Sequence, residues 1–120
     1  MAHLGVQRDA LGCYLAAVDA RWPLEAAWLV GSRARGDELI DSDYDLVLVS
    51  PSFAGVPWIR RVVEVAAPWE LDVPVQPLPF TRDELARKRR EIGTIAEAMR
   101  DAMRLDGAVL APEVVFMDPA

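Results

Sequence analysis

The 120 residues contain one cysteine, one histidine and one lysine. Cys13, standing alone, can close no internal disulfide and build no cysteine-based zinc site. His3 falls ahead of the first helical pattern and reads as part of a tail, not as a metal ligand. Lys88 stands against twelve arginines, a compositional habit that decides nothing about function. Basic charge is short as well: 13 Lys and Arg against 19 Asp and Glu leave a net charge of −6. That balance speaks against a dedicated binder of duplex nucleic acid, whose phosphate contacts need a basic surplus. The longest uncharged stretch, 14 residues from Leu46 to Ile59, is interrupted by Pro51 and Pro57 and is too short to span a bilayer. No apolar signal region opens the sequence, so a cytoplasmic protein with no membrane partner is expected. No repeat, low-complexity tract or linker interrupts it. What remains is a globular composition, 52% hydrophobic and 27% charged. The length suits one domain over residues 1–120, able to bury about two-thirds of the surface of its unfolded chain.

The apolar spacing alternates between helix and strand periods. Leu11, Tyr14, Leu15 and Val18 recur at three and four residues within a helix expected from Val6 to about Arg21, and Pro23 stops it. Ala26 to Val30 is a short continuous apolar run, the mark of a strand covered on both faces. Tyr44 to Ser50 is a second strand. Pro57 suits the start of a helix lined by Ile59, Val62, Val63 and Ala66 and closed by Pro68. Trp69 to Gln76 alternates and predicts a third strand, with Pro74 hinting at an edge. Thr81–Glu84 and Thr94–Glu97 each carry a capping-box pattern, so the stretch from Arg82 to Leu105 reads as two helices broken near Gly93. Ile95, Met99, Ala102 and Met103 give the later helix its apolar face, and Ala108 to Ala111 can add a last strand. The expected fold class is α/β (α+β), a small mixed sheet of about four strands with helices packed against it.

Three pieces carry polar chemistry. Gly31-Ser32-Arg33-Ala34-Arg35-Gly36 follows a buried strand directly, an arrangement that offers backbone N–H groups to an anion or, more simply, a tight turn. Asp43 and Asp45 head the next strand and, by strand alternation, share a face. Two such carboxylates repel unless a cation lies between them, and magnesium takes hard oxygen ligands of this kind; the alternative is a solvated strand end. Glu70 and Asp72 also share a face of the expected third strand; beside the Asp43 strand, one of them could complete a three-carboxylate site, and otherwise both are solvated. The run Arg87-Lys88-Arg89-Arg90 winds around a helix and reads as a solvated exterior, with contact to RNA or an acidic partner as the alternative. Trp22, Trp28, Trp58 and Trp69 read as core, and any exposed one as an interface anchor.

Together the pieces resemble the minimal nucleotidyltransferases of the DNA polymerase-beta-like superfamily: glycine-serine after the first strand, ten residues from Arg33 to Ser42, then the Asp-Tyr-Asp-Leu string. The resemblance extends over nearly the whole chain. It implies that Gly31 and Ser32 hold a nucleotide triphosphate, that Asp43 and Asp45 bind two magnesium ions, and that Asp72 completes the metal site and helps deprotonate the acceptor. Glu70 is the other choice for that third carboxylate. Arg35 matches the Ala-Arg-Gly part of the motif and would shape the loop or touch a phosphate; Arg33 has no assigned role. The small stand-alone members are similar to the antitoxin of two-component pairs whose toxin is a HEPN-domain ribonuclease. The implied activity is transfer of AMP from ATP to a hydroxyl, a tyrosine of that toxin, with a non-catalytic antitoxin or assembly subunit as the alternative.

Overall fold

The computed structural model describes residues 8–35 and 43–105. Helix α1 (Arg8–Arg21) precedes strand β1 (Ala26–Val30), a one-turn helix α2 (Ser32–Arg35) and strand β2 (Tyr44–Val49). Helix α3 (Trp58–Ala66), strand β3 (Val75–Phe80), helices α4 (Arg82–Arg90) and α5 (Thr94–Ala98) and the two-residue strand β4 (Met103–Arg104) complete the order. The sheet runs β3-β2-β1-β4, with β2 and β3 parallel and the other pairs antiparallel. It is the mixed, four-stranded α+β arrangement expected.

Strand alternation divides the core into two layers. Ala27, Leu29, Tyr44, Leu46 and Leu48 face α1, where Leu11, Tyr14, Leu15 and Val18 are buried. Ala26, Trp28, Val30, Val47 and Val49 face the opposite way, toward Leu85 of α4 and Ile95 and Ala98 of α5. The Tyr14 hydroxyl donates to the Val65 carbonyl at 2.6 Å, tying α1 to α3, and burial pushes its pKa well up.

Four local readings need correction. The third strand begins at Val75, not Trp69. The alternation upstream belongs to a bent segment that folds back on itself: the Trp69 indole donates to the Val73 carbonyl at 2.7 Å, and its ring packs against Tyr14 and Tyr44. Helix α3 buries Arg61 and Val65, while Ile59 and Val63 are exposed. Thr94 opens α5 as a helical residue, so the second capping box does not form, whereas Thr81 and Glu84 make theirs in full. Met103 lies in β4 and not on a helix. The strand expected at 108–111, the first residues of the helix expected from Val6, and His3 lie outside the described residues.

The prolines of β3 obey edge chemistry. Ladder bonds to β2 run through the carbonyls of Pro74 and Phe80, so the even-numbered residues turn their peptide groups inward. Pro77 and Pro79 therefore place their missing N–H groups on the open side, where no donor is needed. Arg61 closes part of that side, donating to the Pro79 carbonyl at 3.1 Å, the Val56 carbonyl at 2.8 Å and the Glu84 carboxylate at 2.7 Å. These partners explain how an arginine is buried in place of the aliphatic residues of the same helix.

The Arg61 hydrogen bond, ahead of the Thr81 backbone N–H, holds the Glu84 carboxyl down to about 2. A depressed carboxylate pKa adds stability that is complete above the unfolded value of 4.5 and disappears as pH falls toward 2. Glu84→Gln should therefore cost about 1.5–3 kcal/mol at neutral pH, the range for a hydrogen bond to a charged group. In paired denaturant melts, the gap between wild type and variant should close across that acid window. Equal stability at pH 7 would show that the ion pair contributes nothing.

Candidate active site

The chain turns sharply between β1 and α2. Gly31 has φ +78°, and its carbonyl accepts the Ala34 N–H at 3.1 Å. A Cβ at Gly31 would lie 2.5 Å from an oxygen of the Asp45 carboxylate, so the bare glycine is what leaves that carboxylate room. Cross-strand pairing of Val30 with Asp45 fixes this approach.

The head of β2 is anchored from its other face. Tyr44 is fully buried, and the Arg33 guanidinium stacks over its ring at 4.2 Å from a position that is itself buried. A desolvated stack of this kind is worth ~2 kcal/mol. It holds α2 against β2, giving the arginine that sequence left unassigned a positioning role. The backbone places Ser32 at the start of α2 and Arg35 at its end.

Asp43 is exposed just before β2, and Asp45 is half-buried within it. Burial first, and the neighbouring Asp43 charge second, raise the Asp45 pKa above its ordinary value. Among the described residues no ion pair is made by either carboxylate. Asp45 borders a cavity of about 630 Å³, of a size suited to a small-molecule ligand. Its walls are Val30, Gly31 and Gln76 at the sheet end, Leu78, Ile95 and Ala98 as an apolar side, and Thr94, Glu97, Arg100 and Asp101 at the mouth.

A family model described as "Nucleotidyltransferase domain" matches residues 14–100, well over half of the chain. The chain belongs to this family. A crystal structure from Sulfolobus solfataricus, of a protein assigned as a nucleotidyltransferase, aligns with a TM-score of 0.60, covering 91% of this chain and 85% of that one at 21% identity. That likeness is one of fold. No curated protein matches the sequence.

In this nucleotidyltransferase domain, the glycine turn and the Asp43–Asp45 pair come together, and the third carboxylate expected on β3 does not join them. Glu70 and Asp72 are exposed in the bent segment before β3. Among the described residues, no three His, Cys, Asp or Glu side chains converge on one metal position. The residue that β3 does set beside Asp45 is Gln76. Gln76, Leu78, Ile95 and Arg100 were invisible to motif reading, because each enters the site through strand register or helix packing. A strand-by-strand alignment starting from the Asp45 position is the signal that would have found Gln76. The basic run disperses, with Lys88 3.8 Å from Glu91 and only Arg89 and Arg90 of the four lying near Arg100.

The Asp43–Asp45 pair suits a divalent cation. Its oxygens are hard donors, burial and then the Asp43 charge raise the pKa of the more buried member, and the Gly31 cradle leaves that carboxylate clear. No helix among the described residues is long and apolar enough to cross a membrane.

Proposed function

We propose that the chain is a magnesium-dependent nucleotidyltransferase that takes AMP from ATP and places it on a hydroxyl of a protein partner. The observation that carries this reading is the Asp45 carboxylate, given room by the missing Cβ of Gly31, at the edge of a nucleotide-sized cavity. Asp43 and Asp45 would hold the cation; bound there, it would neutralise phosphate charge as the transfer proceeds. The turn at Gly31–Ser32 offers backbone N–H groups to the phosphates, and Arg100 brings positive charge to the cavity mouth. Leu78, Ile95 and Ala98 provide an apolar wall suited to a base. In the reaction, the acceptor oxygen bonds to the α-phosphorus, the bond to the bridging oxygen breaks, pyrophosphate leaves, and the hydroxyl proton is released to solvent. The family match supports nucleotidyl transfer in general; ATP, magnesium and the acceptor are proposed.

The described residues contain little beyond this core, which supports an acceptor presented by another protein. The sequence resemblance names a HEPN-type ribonuclease toxin, with a tyrosine as the modified side chain. One observation favours a second reading, neutralisation by binding alone: among the described residues no third carboxylate converges on the pair. Incubation with magnesium, α-labelled ATP and such a ribonuclease separates the two. Label on a toxin tyrosine, with toxin that stays inactive after separation, is the expected result. Unlabelled toxin released active would defeat transfer and leave occlusion.

A further inference from the structure

We infer that Gln76 occupies the third liganding position of the metal site, so that this site works with two carboxylates and a neutral amide in place of three carboxylates. The inference rests on the reading of Asp43 and Asp45 as cation ligands and concerns what stands beside them.

Three observations converge on Gln76. The parallel register pairs it with Asp45 across β2 and β3. Neighbouring strands lie about 4.8 Å apart, and directly paired residues project from the same face, so the two side chains are neighbours. Gln76 also lines the same cavity as Gly31 and Asp45, and it is exposed there. Finally, the carboxylates that could have filled the position, Glu70 and Asp72, stand upstream of β3 and form no triad with Asp43 and Asp45.

The chemistry differs in two respects from that of a carboxylate. A glutamine oxygen is a hard ligand, but it adds no negative charge, so metal held by Asp43 and Asp45 is bound more weakly before nucleotide arrives. The nucleotide phosphates then supply the missing anionic oxygens, which makes cation and nucleotide binding mutually dependent. An amide also accepts no proton at neutral pH, so Gln76 cannot serve as a base for the acceptor hydroxyl. Deprotonation falls to water or to a group that the acceptor itself carries.

Manganese binding to the full chain, followed by the electron paramagnetic resonance signal of free Mn²⁺, tests this without reference to activity. Gln76→Glu keeps the side-chain shape and adds one charge beside the pair. It should tighten Mn²⁺ binding about tenfold, since a unit charge a few ångströms from the ion is worth that much even when strongly screened. Mn²⁺ should also raise the melting temperature of Gln76→Glu by more than that of wild type, while in chelator the added charge lowers it. A nucleotide analogue that cannot be hydrolysed should strengthen Mn²⁺ binding to wild type more than to Gln76→Glu. Asp72→Asn should leave Mn²⁺ binding unchanged. If Gln76→Glu binds no tighter than wild type, or if Asp72→Asn weakens binding as strongly as Asp45→Asn, the Gln76 assignment is overturned and the two-aspartate site stands. If Asp45→Asn binds Mn²⁺ as wild type does, the underlying metal site falls, and this inference with it.

Discussion

Asp43→Asn combined with Asp45→Asn should abolish nucleotidyl transfer and leave a folded, more stable protein. The loss of transfer should reach ~10³-fold or more, because stabilisation of phosphate charge by a bound cation is worth several kcal/mol and each 1.36 kcal/mol is a factor of ten in rate. The gain in stability follows from the Asp45 environment. Its pKa is raised by burial and then by Asp43. A carboxyl with a raised folded-state pKa favours folding at low pH, and that stability is lost as pH rises from the unfolded value of 3.8 through the folded one. An asparagine at position 45 has no such loss. In chelator at neutral pH the double variant should therefore melt above wild type, with the difference closing as pH falls toward 3.8. Magnesium with ATP should raise the wild-type melting temperature and leave the variant unchanged, since only a ligand bound by the native state stabilises it. Transfer that survives in the variant would remove these residues from the site.

Gly31→Ala should damage the same site by a different route, and Gly55 provides its control. Both glycines sit in the left-handed region, at φ +78° and +76°, so an alanine at either pays ~1–2 kcal/mol for its backbone. Around Gly55 a Cβ meets nothing within 4 Å, whereas at Gly31 it meets the Asp45 carboxylate at 2.5 Å. That carboxylate can rotate aside, so the additional stability cost is small and the functional cost large: Asp45 leaves the position it shares with Asp43. The two alanine variants should melt at similar temperatures, while only Gly31→Ala loses divalent-cation binding and transfer. Equal function in both variants would show that the close approach does not matter.

Where the sequence could be read, the determinants were local. Ala26–Val30 is apolar throughout because both sheet faces are covered, and Thr81 and Glu84 satisfy each other's backbone N–H groups within one turn. The Gly31–Asp45 half of the site was legible only through the resemblance, whose motif both residues carry, while the shared face of Asp43 and Asp45 followed from strand alternation. The other half depended on parallel pairing, whose register is set by partners remote in sequence. Leu71, Val73 and Val75 alternate as a strand would, yet the first two pack against the core from a bend that Trp69 holds by its own hydrogen bond. With the strand start displaced, the carboxylates at 70 and 72 moved away from Asp45 and Gln76 moved in. Helix α3 failed for a related reason. Periodicity placed Ile59 and Val63 inside, but Arg61 finds carbonyls from two segments and a carboxylate from a third, a set of partners that no local pattern contains.

The prolines of β3 also limit how another protein can attach. An incoming segment that lengthens a sheet needs alternating donors and acceptors along the border strand. Here Pro77 and Pro79 remove two donors in succession, and Arg61 already occupies the acceptor at Pro79. The far border, β4, has two residues among those described. Strand-by-strand polymerisation is thus discouraged at β3, and a partner bound on that side must be recognised through side chains. A synthetic β-strand peptide should not add there, whereas loss of the Arg61 cover together with Pro77→Val and Pro79→Val would make that border a template for self-association.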